Sequence, residues 1–254
     1  KRYRPFFVVA VSQTFGLLLM LVVATATGGW DEPTDYLPWA VVASVTGFVG
    51  LGMFYRAMAT GAVGVVSPIT ALAGLGPIVL GLALGDTPTV VQYLGLLAAL
   101  LGVVLASGPE LSGDAGARPV VLAVGATVLF GVCLVAIAMG SRSSPVMTMT
   151  GMRISTVAIL AVAGVVAVLR GDRYRVSGGR DLAAMAIVGI LDVAANLFYG
   201  IATTTGVLSL VSVLGSVYPV VTVLLAWWFL GERLRIIQYV GVGLALGGVA
   251  AIVA

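Results

Sequence analysis

Apolar residues run along this chain in stretches near twenty residues long, separated by short clusters of Gly, Pro, Asp and Arg. A bilayer core about 30 Å thick needs about 20 apolar helical residues per crossing. That ruler divides the sequence into nine segments: 5–26, 38–58, 62–83, 89–107, 119–139, 145–169, 182–203, 206–230 and 235–254. Turn chemistry punctuates them: Gly28-Gly29 with Asp31-Glu32-Pro33, Gly85-Asp86-Thr87-Pro88, residues 108–118, Ser141 to Pro145, Arg170 to Asp181, and Gly231-Glu232. Most loops are short, so neighbouring helices run antiparallel. Long apolar runs, in place of alternating ten-residue segments, exclude a β-barrel. The pattern predicts an all-α polytopic membrane protein with nine transmembrane helices.

Part of the pattern occurs twice. Leu84-Gly85-Asp86, Gln92-Tyr93 and Gly95 match Leu230-Gly231-Glu232, Gln238-Tyr239 and Gly241 at an offset of 146 (238 − 92). The copy extends through Ala99, Leu100 and Gly102 against Ala245, Leu246 and Gly248, and upstream Phe54-Tyr55 matches Phe198-Tyr199 and Gly61 matches Gly206. Spaced identities across a turn and two helices mark an internal repeat. Five spans separate the copies, an odd number, so they face opposite sides of the membrane. That is the inverted-topology repeat of secondary transporters, with a site where the halves meet. The division is a first repeat at 1–107, a linker at 108–118 and a second repeat at 119–254. The first holds four spans and the second five, which predicts one further span within about 25–35 residues before Lys1.

Composition narrows the class. Apolar residues make up 60% of the chain and charged residues 9%, against roughly 45–50% and 25% in soluble proteins. With no histidine and only Cys133, His/Cys metal sites, disulfides and Ser-His-Asp or Cys-His catalysis are excluded. There is no P-loop, Gly-x-Ser-x-Gly or His-Glu-x-x-His. The reading is therefore not an enzyme, with no cofactor and no metal. Lys and Arg form no run interleaved with aromatics, so nucleic acid is not a partner; a small-molecule solute and the lipid bilayer are. Lys1, Arg2, Arg4, Arg56, Arg118, Arg170, Arg173, Arg175, Arg180, Arg233 and Arg235 fall on one side of the nine-span topology, and only Arg142 on the other. The positive-inside rule makes the first side cytoplasmic. It predicts a cell-membrane protein with the Arg170–Asp181 loop inside, and the Trp30–Leu37 loop and Ala254 outside.

The segment from Tyr218-Pro219 through Trp227-Trp228-Phe229-Leu230-Gly231-Glu232-Arg233-Leu234, closing in a Gly-rich helix, resembles the drug/metabolite transporter superfamily, EamA type. The resemblance covers all 254 residues. It implies ten helices in two five-helix halves, and export or exchange of small metabolites through a central cavity. This chain departs from the pattern in three ways. The family's first helix is absent. Asp86-Thr87 stands where the family carries Glu-Arg, and Pro77 lies closer to Gly85 than Pro219 does to Gly231. The family is drawn with both termini in the cytoplasm, whereas the charges here place Ala254 outside.

Most charges need no mechanism. Arg56, near a span end, snorkels to the interface; Glu232 suits the start of the last helix, where a carboxylate satisfies free N–H groups. Trp30, Trp39, Trp227, Trp228, Tyr3 and Tyr174 read as interfacial anchors. Gly243 and Gly247 form a small-xxx-small face for packing within the chain, with dimerisation as the alternative. Two ionisable groups lie deep in spans, Arg153 and Asp192, and such residues mark function by default. Asn196 and Tyr199 share one helix face with Asp192, and a polar seam that only joins helices is the alternative. Arg153 and Asp192 sit on consecutive antiparallel helices at depths differing by about 4–5 Å, which predicts contact between them. Gln13 occupies the position mirroring Arg153 in the first repeat. Ser67-Pro68 with Gly74-Leu75-Gly76-Pro77, and Ser209, Ser212, Gly215-Ser216 with Tyr218-Pro219, interrupt corresponding spans, a pointer to a transporter's site; plain kinks are the alternative. The candidate substrate-binding set is Gln13, Tyr55, Ser67, Arg153, Asp192, Asn196, Tyr199, Ser212 and Tyr218. The leading function is a secondary transporter, exporter or exchanger, of a small polar or amphipathic metabolite by alternating access. A lipid or lipid-linked sugar flippase and a non-transporting membrane scaffold are the other readings.

Overall fold

Proline and glycine set the helix boundaries. In the computed structural model, which describes residues 5–60, 63–107, 117–169, 179–230 and 235–253, no described residue lies in a strand. The helices are α1 (Pro5–Ala26), α2 (Leu37–Thr60), α3 (Val63–Ala71), α4 (Leu75–Ala83), α5 (Val90–Ala106), α6 (Ala117–Ser141), α7 (Pro145–Leu169), α8 (Gly179–Thr205), α9 (Leu208–Gly215), α10 (Tyr218–Leu230) and α11 (Ile236–Val253). Pro145 opens α7, where its missing N–H is harmless, and the preceding Ser144 Oγ accepts the Met147 N–H at 3.2 Å. Thr89 and Gln92 form a reciprocal capping box at the start of α5. Gly85 closes the turn after α4 at φ +100°, a backbone state that side chains disfavour.

Seven stretches among the described residues are long and apolar enough to cross a membrane, and α5 is a shorter apolar helix. The third predicted span is broken by a tight turn at Leu72–Gly74, and the eighth is split into α9 and α10. Expectations at Lys1–Arg4, at residues 108–116 of the linker, at 170–178 with Tyr174, and at Glu232 lie outside the described residues.

The chain forms two compact units, Lys1–Val45 with Ala136–Thr204, and Thr46–Val135 with Thr205–Ala254. Each draws on both sequence repeats. In the first, α1 and α7 run antiparallel: Gly29, just beyond α1, meets Met147 at the start of α7, with a Cβ at Gly29 falling 2.9 Å from Met147 Sδ. Gly151 of α7 leaves room for Ala40, whose Cβ would lie 3.0 Å from an added Cβ.

In the second unit, α5 and α11 pack along small residues. A Cβ on Gly102 would lie 2.7 Å from both Ala245 Cα and Gly241 O, and one on Gly95 would lie 2.8 Å from Gly248 O. Gln92 Nε2 donates to Ile252 O at 3.4 Å, and its repeat mate Gln238 donates to Ala106 O, also at 3.4 Å. The seam is thus symmetric under exchange of the two copies. Ile78, Leu96, Leu100, Leu210, Val213 and Ile252 form an apolar cluster beside it. The face expected at Gly243 and Gly247 is not the packed one: a Cβ at either meets nothing within 4 Å. The i, i+4, i+7 stripe Gly241, Ala245, Gly248 is buried instead. The two broken spans pack on each other: Gly74, ending the Leu72–Gly74 turn, lies against Ser216, whose Cβ would be 3.1 Å from an added Cβ. Frayed backbone is here covered by protein.

Candidate functional site

In the first unit, α1 and α8 cross at glycines. A Cβ on Gly16 would lie 3.2 Å from Gly189 O, and one on Gly189 would collide with Ser12 O. This close approach places Gln13, beside Ser12, within reach of Asp192, one turn past Gly189. Gln13 Nε2 donates to Asp192 Oδ2 at 3.3 Å. From α7, Arg153 Nη1 donates to Gln13 Oε1, and Nη2 lies 3.0 Å from Asp192 Oδ2. The amide orientation follows from chemistry: its oxygen must face the donor-only guanidinium and its nitrogen the carboxylate. Asn196 Nδ2 donates to Asp192 O at 2.8 Å and approaches Oδ1 at 3.4 Å. Tyr199, half-buried, continues that face of α8. Three residues beyond Arg153, the Thr156 and Ser44 hydroxyls are 2.9 Å apart and join α7 to α2.

Burial within the ion pair is unequal. Arg153 is 3% exposed and Asp192 44%. Both carboxylate oxygens have donors, whereas Arg153 Nε and Nη2 are buried without a hydrogen-bond acceptor among the described residues; the Nη2 contact with Asp192 is a charge contact, out of hydrogen-bond alignment. Asp192 is the central residue of α8, thirteen residues from each end, and a charge at that depth is tolerated only facing water or protein.

Below the cluster, α1 and α7 enclose an open groove of about 270 Å³ between Phe7, Ala10 and Thr14 on one side and Leu160, Gly164 and Val168 on the other. Its one polar side chain, Thr14, donates its hydroxyl to Ala10 O at 2.8 Å.

The remaining candidates belong to the second unit. Tyr55 is exposed with its ring 5.8 Å from Phe54. Ser67, half-buried, lends its carbonyl to the Thr70 hydroxyl at 3.1 Å. Ser212 is buried and donates to Leu208 O at 2.6 Å, closing its own helical turn. Tyr218 opens α10 and is exposed. Of the nine candidates, Gln13, Arg153, Asp192 and Asn196 therefore form one connected cluster in the first unit.

One polar link escaped the sequence. Asp86 Oδ2 accepts the Ser209 N–H at 2.8 Å. Val207 precedes α9 and offers no side-chain cap, so a carboxylate from the other repeat satisfies that free N–H. The Asp86/Glu232 repeat match was the available signal, but it does not reveal a partner 123 residues away.

Mid-span charges, paired helix breaks and repeat-related packing define a helical, multi-pass membrane protein made of two repeats. The chain belongs to the EamA-like transporter family, which matches residues 1–108 and 117–254. A solved structure, described only as a crystal structure of a protein, superposes with a TM-score of 0.81 over 100% of this chain and 90% of its own, at 19% identity. That likeness speaks for the fold alone. No curated protein matches the chain.

Proposed function

We propose that this protein is a secondary transporter that exports or exchanges a small polar or amphipathic metabolite across the cell membrane. The repeats 1–107 and 119–254, joined at 108–118, alternate access to a central cavity, with the Arg170–Asp181 loop in the cytoplasm. Family membership supports transport. The observation that carries the site is the Arg153–Gln13–Asp192 cluster, which ties three helices together at mid-span. Ionisable groups at such depth mark solute and ion pathways. A solute that competes for either partner loosens the contact between α7 and α8, which couples occupancy to helix movement. Within this reading Asn196 and Tyr199 extend the binding face.

The test is flux in reconstituted vesicles with a panel of metabolites and an imposed pH gradient. Arg153→Gln and Asp192→Asn should each abolish flux while the protein remains in the membrane. Normal flux in both variants reduces the cluster to a polar seam.

A further inference from the structure

Arg153 is the group the cluster leaves unsatisfied. Its Nε and Nη2 are buried without a hydrogen-bond acceptor among the described residues, and the side chain is only 3% exposed. Buried polar groups are almost always paired, and an exception at a charged side chain calls for a missing partner. The partner must be an acceptor. Both Asp192 oxygens, by contrast, already face donors, from Gln13, Asn196 and Arg153. What Nε and Nη2 lack is an acceptor, and an anion is the strongest one a guanidinium can meet.

The surroundings describe the rest of the ligand. Leu160, Gly164 and Val168 stand at seven, eleven and fifteen residues after Arg153, on the same stripe of α7. All three line the groove closed on the other side by α1. Thr14, beside Gln13, is the groove's one polar side chain, and its hydroxyl is already engaged with Ala10 O. The groove thus gives a solute apolar contact and no free side-chain hydrogen bond. Its first lining residue on α7, Val157, stands one turn after Arg153.

We propose that the solute is an amphiphilic monocarboxylate, its carboxylate held by Arg153 and its apolar body lying along the α1–α7 groove. This rests on the transport reading of the same site and names its substrate class. The planar carboxylate matches the guanidinium fork and can take two parallel N–H bonds. Nε and Nη2 form the edge that takes it while Gln13 keeps Nη1, and Asp192 then shares the guanidinium with the solute. An ammonium group has no acceptor to offer Nε and Nη2.

The test uses the whole protein in nanodiscs of zwitterionic lipid, with labelled octanoate as the probe and butyrate, octanol and octylamine as competitors. Octanoate should bind saturably. Each buried methylene should tighten binding about fourfold, so butyrate competes far more weakly, and octylamine not at all. Arg153→Gln should weaken octanoate binding at least about tenfold, as expected for loss of a paired charge contact. Gly164→Leu fills the groove away from the charges and should remove the chain-length dependence, so that octanoate binds no more tightly than butyrate. That variant keeps the proposal testable where the arginine variant fails to fold. Equal competition by octylamine or octanol, or chain-length dependence surviving Gly164→Leu, overturns the proposal; the latter result would give the groove to bilayer lipid. Octanoate binding without flux in vesicles leaves the ligand class standing and removes the transport reading. Flux of other solutes with no octanoate binding does the reverse.

Discussion

The unequal burial of the ion pair makes an unequal stability prediction. Asp192→Asn keeps the shape of the cluster but leaves the guanidinium of Arg153, 3% exposed, without a counter-charge. Removing one partner of a buried pair costs about 3–5 kcal/mol, because an uncompensated charge stays desolvated. Arg153→Gln leaves the opposite situation. The orphaned carboxylate is 44% exposed and keeps the Gln13 and Asn196 donors, so the loss should be on the order of 1 kcal/mol, as for partly solvated pairs. The two single variants should therefore differ by roughly 2–4 kcal/mol, with the aspartate variant the weaker. Replacing both residues by leucine removes the desolvated charges together and should recover most of the loss. The assay is unfolding of the purified protein in mild detergent, by heat or by titration with a denaturing detergent, monitored through tryptophan emission. An arginine variant as unstable as the aspartate variant would falsify the assignment of Arg153 as the buried partner.

Three further outcomes follow from the geometry. Gly102→Ala places a methyl 2.7 Å from Ala245 Cα and Gly241 O and should cost about 1–3 kcal/mol by overpacking, while Gly243→Ala, in open space, should change stability by less than about 0.5 kcal/mol; matching melting temperatures for the two would remove the α5–α11 seam. Asp86→Ala withdraws the acceptor of the Ser209 amide and should cost about 1 kcal/mol, the usual worth of a cap, with faster hydrogen exchange at Ser209 and its neighbours; unchanged exchange there refutes the link. In intact cells, cysteines placed at Thr34 and Ser177 should differ towards an impermeant thiol reagent, with Thr34→Cys labelled and Ser177→Cys protected, and the inverse pattern reverses the topology.

Local rules carried the sequence as far as helix identity and depth. The ruler of twenty apolar residues located every described helix, and counting residues from span ends brought Arg153 and Asp192 to one level. Depth says nothing of which faces meet. Gln13 bridges the two charges only because Gly16 and Gly189 let α1 and α8 approach to backbone contact, and the register of a helix crossing is not written in the period of either helix. Gly243 and Gly247 illustrate the opposite error. Spacing alone selects small residues on any face of a Gly-rich helix. The repeat held the better signal, since Gly95, Ala99 and Gly102 match Gly241, Ala245 and Gly248, the residues that line the seam. Asp86 was unreadable for another reason: its partner is a backbone N–H, which leaves no residue-type signature.

The repeat also explains why the charged cluster must be asymmetric. Along α5 and α11 the contacts Gly95 with Gly248 and Gly102 with Gly241 exchange with each other when the copies are swapped, and Gln92 and Gln238 make matching bonds. Small neutral residues can stand in both copies of such a seam at no electrostatic cost. In the first unit α1 and α7 are likewise antiparallel equivalents, and Gln13 and Arg153, each the ninth residue of its helix, touch each other. A charge repeated at both positions would set two guanidiniums in contact in a buried place, where like charges repel strongly. One copy must therefore be neutral and able to accept, which a glutamine amide is. The same holds for the counter-charge. At the offset of 144 given by Phe54 and Phe198 (198 − 54), Asp192 corresponds to Phe48 and Asn196 to Gly52, so one repeat carries the acid and the other carries none. Identity between the copies is kept where helices only pack, and is given up where the copies would have to share a charge.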